Sequence, residues 1–419
     1  MRVKKLILII TSFALLLLTT YVVIFYYQNL RGAWVAWQKA ESTEEPNIET
    51  TNNISTSTNG TQTASTTKNL TPKNNTGIPL TLPPGSEINI LANVPGARVL
   101  AIDSLGNIWV SQTKQGQITL VEMKDGKAIN QTAVFKGLRN PHGLAFDPED
   151  PFTLYFAEEH QISKIRIYSE DEEQKIIDLP KGGGHFTRTI GFGPDKRLYV
   201  SIGSTCNVCL EEDARRAAIY SMNKDGSDFK QYARGLRNSV FFTWQNGKMW
   251  ATEMGRDLLG DELPPDEINI VENEKNYGWP ICYGQNIHDT NFDKNTYIRN
   301  PCMEPFETPS LYDLPAHSAP LGLAFIPNSG WPKNMSGDLL VAFHGSWNRT
   351  SPTGYKIVKL KIDYSGNSPK VTKMEDFISG WLGSGNKTYG RPVDILALPN
   401  GTMYISDDKA GRIYSVKFQ

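Results

Sequence analysis

RTIGFGPDKRLYVSIG, residues Arg188 to Gly203, carries two short apolar runs on either side of a Gly-Pro-Asp turn. Alternating apolar positions broken by such punctuation read as two antiparallel strands joined by a tight turn. The same unit recurs along the chain. ARVLAIDSLGNIWVSQ (Ala97 to Gln112) and HGLAFDPEDPFTLYFAEE (His142 to Glu159) precede it. VFFTWQNGKMWATEMG (Val240 to Gly255), LGLAFIPNSGWPKNMSGDLLVAFHG (Leu321 to Gly345) and PVDILALPNGTMYISDD (Pro392 to Asp408) follow. The early units start roughly 40 to 50 residues apart, the spacing of one four-stranded propeller blade, with larger gaps later.

Six units predict an all-β fold, a six-bladed β-propeller over residues 85–419. A small sheet cannot bury its apolar faces alone, and stacking sheets around an axis buries them while leaving only short edges. Ser86 to Val94 is then the extra strand that completes the last blade and ties the ring shut. A two-sheet sandwich or a pair of β-domains is the competing architecture. Between Asp257 and Asp313 a long polar, Pro-rich insertion interrupts the repeat, as expected of a functional loop laid across one face.

The first 84 residues have a different texture. Residues 1–30 contain an apolar run, Leu6 to Tyr27, behind Arg2, Lys4 and Lys5, long enough to cross a membrane as a helix. With its basic flank inside, this signal anchor sends the remaining chain outward, to an extracellular or periplasmic location; a cleaved signal peptide is the second reading. Residues 31–84, rich in Thr, Asn and Ser, are expected to form a flexible linker. The protein is thus predicted to be a single-pass cell-membrane protein preceded by an N-terminal transmembrane helix and a disordered linker. Asn-x-Ser/Thr sequons at Asn53, Asn59, Asn69, Asn130, Asn386 and Asn400 fit an exported glycoprotein.

With 43 Lys and Arg against 44 Asp and Glu, the net charge of −1 gives no reason to expect a nucleic-acid partner. Four cysteines suit an oxidising compartment: Cys206 with Cys209, and Cys282 with Cys302, are expected as local disulfides. A C-x-x-C pair is also half of a zinc site, but Cys282 and Cys302 do not supply the other half.

Candidate chemistry gathers where the units begin. GLRN occurs twice, at Gly137–Asn140 and Gly235–Asn238, each time before a blade's first strand. Residues in that position surround one mouth of the central channel, so Arg139 with His142, His185 with Arg188, Arg237 with Asn238, and Arg391 are expected to converge on one funnel. His185, on a glycine hinge, titrates near neutrality and can take a proton from a hydroxyl. Arginines without carboxylates in the same segments suit an anionic ligand; bracing of blades against Asp147, Asp195 or Asp394 is the alternative. The acidic run Asp261, Glu262, Asp266 and Glu267, like Asp407 and Asp408, reads as solvated loop rather than as a calcium site.

GGHFTRTIGFGPDKRLYVSIGS, GLRN before a strand, EMG followed by DEIN, NYGWP at Asn276–Pro280, and GRP with SDD near the end together resemble the soluble glucose/sorbosone dehydrogenase family. The resemblance runs from about Ser86 to the C-terminus. Ser204–Cys209 and FHGSWNR at Phe343–Arg349 place it nearest the sorbosone-dehydrogenase-like branch. It implies a six-bladed propeller that uses pyrroloquinoline quinone (PQQ) with Ca2+ to oxidise an aldose or related aldehyde sugar. His185 matches the general base and Arg237 the arginine beside the quinone carbonyl, where fixed positive charge stabilises a developing anion. Asn238 and Arg391 match cofactor-contacting residues, and the backbone carbonyls of Gly255 and Arg256 match calcium ligands. The family's glucose dehydrogenases carry Gly-Pro at Gly255-Arg256, Asp at Ser204 and Arg at Val393. His344, Trp347 and Arg349 are candidates to supply what these departures remove, and His142 and Arg188, from their place at the funnel, are further cofactor-binding candidates. Electrons would pass to a quinone pool or a redox protein. A metal-dependent lactonase or other hydrolase, or a non-catalytic cell-surface propeller that binds sugars or proteins, fits the same architecture.

Overall fold

The computed structural model describes residues 71–418. The apolar run Leu6 to Tyr27 and linker residues 31–70 lie outside them; among the described residues no helix is long and apolar enough to cross a membrane. Within them, residues 71–257 and 261–418 form one compact unit.

Six antiparallel four-stranded sheets carry the six sequence units in order. Blade 1 opens with Leu100–Ile102, blade 2 with Leu144–Phe146 and blade 3 with Ile190–Phe192. Blade 4 opens with Phe242–Gln245, blade 5 with Pro320–Phe325 and blade 6 with Pro392–Ala397. These first strands neighbour one another around the axis. The second strands are buried along their whole length in four blades, as in Ile108–Gln112 and Leu198–Ile202, and at all but the first residue in blades 2 and 4, because a blade packs against a neighbour on both faces. Close approach of the inner strands needs glycine. A Cβ on Gly143 would lie 2.5 Å from the Arg188 carbonyl, and one on Gly322 would lie 2.6 Å from Asp394 Cα.

Ring closure follows the expected route. Ser86–Asn93 pairs antiparallel with Arg412–Phe418 and supplies the outermost of blade 6's four main strands. Polar braces repeat between blades: Gly143 N–H donates to Arg188 O (2.8 Å), Thr252 Oγ1 to Leu321 O (2.9 Å), and Leu100 N–H to the Asp394 carboxylate (2.8 Å). Asp394 therefore braces blade 6 to blade 1 through backbone, not through an arginine.

The boundary of the ordered domain falls earlier than residue 85. Lys73–Asn74 adds a parallel strand to Ser86–Asn93, and Thr81 exchanges backbone hydrogen bonds with Ser379. Ile78, Leu80 and Leu82 are buried in the cluster that holds Trp331, Phe377 and Trp381. The stretch Ile78-Pro-Leu-Thr-Leu82 alternates apolar with other residues, a strand-like period masked by the Thr- and Asn-rich composition around it.

The insertion is also structured. Its Lys275–Asn276 extends blade 3 as a fifth strand beside Lys230–Arg234, and the Cys282–Cys302 disulfide closes the loop that follows. Asp266 and Glu267 are buried in blade 4's third strand, Asp266–Val271, which corrects their reading as solvated loop; Asp407 is buried as well.

Replacing Leu80 by Ala should therefore cost about 2–4 kcal/mol of unfolding free energy. A denaturant titration that finds no loss would return the segment to the status of a tether.

Candidate functional site

In an antiparallel blade, the residues before the first strand and after the second lie at the same end. His142, His185, Arg237, Asn238 and Arg391 precede first strands; Gly203, Ser204, Gly255 and His344 follow second strands. Topology thus brings the sequence candidates to one mouth of the ring.

His185 sits against the end of blade 3's second strand. Its Nδ1 lies 3.1 Å from Ser204 O and 2.8 Å from Ser204 Oγ. A carbonyl can only accept, so Nδ1 carries the proton and Nε2 keeps its lone pair. Gly203 makes this approach possible, since a Cβ there would fall 2.6 Å from His185 Cβ and 2.9 Å from Asn238 Oδ1. Burial, then the charges of Arg237, Arg188 and Arg216, pull the His185 pKa down to about 3, with the Ser204 contact opposing them. The ring is neutral at physiological pH.

Arg237 is buried and fully engaged. Nε donates to Asn207 O (2.8 Å), Nη2 to Asn207 Oδ1 (2.9 Å) and Asp257 (3.3 Å), and Nη1 to the carbonyls of Met254 (3.3 Å) and Gly255 (3.1 Å). Asn238 is held from behind, its N–H donating to Glu253 Oε1 at 2.8 Å. Glu253 Oε2 is buried without a partner, and burial, then the charge of Glu267, raises the Glu253 pKa well above the usual carboxylate range. Burial pushes Asp266 and Glu267 up to about 7. Glu253, Arg237, Gly255 and Trp279 line a cavity of about 20 Å³, enough for one water or ion.

On the opposite side, Arg391 donates to the carbonyls of His344 (2.8 Å) and Gly345 and stacks on Tyr355. His344 Nε2 meets Asp408 Oδ1 at 2.9 Å, and Arg98 meets the other carboxylate oxygen at 2.8 Å. Burial lowers the His344 pKa to about 4. Burial opposes ionisation of Asp408, but the His344 bond and charge and the Arg98 guanidinium hold its pKa well below the usual range.

Several candidates lie elsewhere than expected. His142 and Arg188 are wholly enclosed: the His142 ring packs edge-on to Phe241, and Arg188 donates to the carbonyls of His185, Thr187 and Pro180. Neither lines the mouth; Arg188 backs it through its charge and its bonds to backbone carbonyls. Arg349 is tied to Asp261 O, Ala316 O and Glu262, so it braces two loops, whereas Trp347 is 74% exposed. Arg256 turns away into an ion pair with buried Asp289 (2.5 Å), leaving only its backbone for a ligand. Arg139 pairs with Glu159. Both expected disulfides are present, and two residues overlooked in the sequence are central: Asn207, inside the Cys206–Cys209 loop, and Arg216.

The arginines give the site its electrostatic character. Arg188, Arg216 and Arg391 donate to carbonyls rather than to carboxylates. Burial, then the charge of Arg216, lowers the Arg188 pKa to about 9. Buried positive charge without an anionic partner is the chemistry of a site for an anion.

The TrAA12-like family model matches residues 80–419. An uncharacterized protein of Borreliella burgdorferi is 31% identical over 361 residues, 81% of this chain and 91% of that protein. A pyrroloquinoline quinone-dependent pyranose dehydrogenase of Coprinopsis cinerea is 34% identical over 396 residues, covering 78% of this chain and 53% of that protein. The chain thus spans about half the length of that dehydrogenase. Among solved structures, the holo form of the Coprinopsis cinerea pyranose dehydrogenase PQQ domain superposes with a TM-score of 0.68 at 20% identity, covering 82% of this chain and 98% of that one. A calcium structure of a Trichoderma reesei Carbohydrate-Active Enzymes Family AA12 protein gives 0.70 at 20% identity, covering 83% and 100%. At that identity the structures establish the fold.

With its pKa near 3, His185 should stay neutral from pH 8 down to pH 5 in the cofactor-free protein. Its ¹⁵N resonances should not titrate across that range, and Arg237→Gln should move the titration upward; a wild-type midpoint near 6.5 would contradict the burial described.

Proposed function

The chain belongs to the TrAA12-like family, and from that premise we propose that it is a PQQ-dependent dehydrogenase oxidising an aldose or related aldehyde sugar. The observation that carries this reading is a neutral histidine whose Nδ1 is held by Ser204, at a mouth backed by Arg188, Arg216 and Arg391, whose guanidinium groups donate to carbonyls and make no carboxylate ion pair among the described residues.

The residues fit a polycarboxylate cofactor. Arg237, Asn238 and Arg391 would hold it, with Arg188 and Arg216 contributing charge from behind, and His344 and Trp347 forming the opposite wall. Calcium would rest on the carbonyls of Gly255 and Arg256. The Gly255 carbonyl already accepts from a cation, the Arg237 guanidinium, which would give up that bond. The chemistry PQQ supplies when bound is acceptance of the hydride that leaves the sugar carbon.

The chain's own residues do the rest. His185 Nε2 takes the proton of the hydroxyl on the carbon being oxidised, and Ser204 fixes the ring by accepting from Nδ1–H. Arg237 holds positive charge where negative charge develops, in a buried setting that strengthens its effect. A ligand with several carboxylates would offset the arginines that depress the His185 pKa, so the base becomes stronger once the site is loaded. A lactonase would instead need carboxylates converging on a metal. Among the described residues the one group of three close enough is Cys206, Cys209 and Glu211, and its cysteines are joined in a disulfide. We also propose that Leu6 to Tyr27 anchors the domain at the outer face of the cell membrane, within reach of a quinone pool or a redox protein.

Reconstituted with PQQ and calcium, the protein should reduce an artificial dye when given a suitable aldose, and inertness toward every aldose would sink the proposal. His185→Ala should lower kcat by about 10²- to 10⁴-fold while leaving cofactor binding intact.

A further inference from the structure

Two chains of hydrogen bonds meet in the loop closed by the Cys206–Cys209 disulfide. Ser204 Oγ donates to Cys206 O at 2.7 Å while lying 2.8 Å from His185 Nδ1. One residue further on, Asn207 accepts Arg237 Nε on its carbonyl and Nη2 on its side-chain oxygen, at 2.8 and 2.9 Å. The same side chain is fixed by Asp257, whose N–H donates to Oδ1 (2.7 Å) and whose carbonyl accepts from Nδ2 (3.0 Å). We propose that this disulfide-closed loop is the positioning element of the site, selecting the His185 tautomer through Ser204 and orienting the Arg237 guanidinium through Asn207. The inference rests on the assignment of His185 and Arg237 as the working pair of the proposed dehydrogenase.

The tautomer of His185 depends on where one proton goes. A serine hydroxyl has a single hydrogen. Committed to Cys206 O, it leaves Oγ only lone pairs for His185, so Nδ1 must carry the ring proton and Nε2 is free to act as a base. If Cys206 O swings away, the hydroxyl can donate to Nδ1 instead, the ring proton moves to Nε2, and the base is lost. Ser204 O keeps an opposing preference at 3.1 Å, so the expected result of loosening the loop is a mixture of tautomers.

No regular element holds that carbonyl in place. Residues 203–217 contain no strand or helix, and the bonds around it are those of Thr205 with Glu211 and with Gly184, of Ser204 N–H with Arg237 O, and of Asn207 with Arg237 and Asp257. Covalent closure across Cys206 and Cys209 removes conformations in which the carbonyl of Cys206 and the side chain of Asn207 point elsewhere. The insertion's Cys282–Cys302 disulfide closes a different loop and serves as an internal control.

The test uses the full chain without cofactor, labelled with ¹⁵N-histidine, the His185 signals being identified by their loss in His185→Ala. Wild type should show one tautomer, protonated at Nδ1. Cys206→Ala/Cys209→Ala should show both tautomers, and Cys282→Ala/Cys302→Ala should match wild type. Adding Ser204→Ala to the first pair should restore the single Nδ1–H form, because the competing hydroxyl is gone; general destabilisation would not be rescued in this way. Wild-type spectra from Cys206→Ala/Cys209→Ala, or no rescue by Ser204→Ala, would overturn the proposal whether or not any sugar is oxidised. Should the cysteine pair fail to fold, Ser204→Ala alone decides: the Nδ1 proton should move upfield with the tautomer unchanged, and an unmoved proton rejects the mechanism. On the loaded enzyme, Asn207→Ala should lower kcat roughly tenfold with KM within about twofold. An unchanged kcat would remove Asn207 from the positioning element.

Discussion

Pairing of Ser86–Asn93 with Arg412–Phe418 is the constraint on which the molecule depends. The site draws on residues from around the ring, from Arg98 beside blade 1 to Asp408 at the end of blade 6, and these two form an ion pair across the closing seam at 2.8 Å. His344 of blade 5 joins them through Asp408, and Arg391 through the His344 carbonyl. An open ring would leave the sheets of the other five blades intact, strip blade 6 of its outer strand and dissolve this half of the mouth. Non-local closure carries a large chain-entropy cost, met by burial across the blades rather than by any one bond. The packing of Ile78, Leu80 and Leu82 beside the seam extends that burial past the closing strand.

Closure concentrates positive charge. Arg188, Arg216 and Arg391 each donate to backbone carbonyls, an arrangement that fixes their direction without neutralising them. Carboxylates would have stabilised the free protein more and left less attraction for an anion. Acidic groups are nevertheless close by: Glu253, Asp266 and Glu267 are buried, and burial raises the pKa of all three, Asp266 and Glu267 to about 7. Acids held partly protonated keep their negative charge from cancelling the arginines.

The fold was legible because its unit repeats. Six copies of strand, turn and strand, with Ser86 to Val94 left over, left few other ways to bury the apolar faces. The site was legible only where position in the repeat predicts position in space, which is why His185, Arg237, Asn238 and Arg391 come together. Periodicity says nothing about which way a side chain turns. Arg188 and His142 occupy the right place and are enclosed, and Arg256 leaves its strand end to pair with Asp289. Asp266 and Glu267 look solvated beside Asp261 and Glu262, yet they begin a strand whose alternation with Ile268 and Ile270 was the available signal. Asn207 carries no sequence signal of its own, since its importance comes from a loop fold fixed by the flanking cysteines.

Ser204 is the point at which sequence and geometry bear most directly on each other. An aspartate there, as in the glucose dehydrogenases that the chain resembles, would place a full negative charge against His185 Nδ1 and raise its pKa. The same charge would lie among Arg188, Arg216 and Arg237 and weaken their pull on an anionic cofactor. Serine keeps the hydrogen-bond geometry, with Oγ 2.8 Å from the ring, and leaves the arginine field undiminished. The consequence is a histidine whose pKa is depressed to about 3 in the free protein. Burial is the largest cause of that depression and the same arginines add to it, so the arginine share would diminish when carboxylates of a ligand approach them. In the proposed enzyme the base would then be tuned by the bound cofactor rather than by a resident acid, and proton abstraction would be coupled to occupancy of the site.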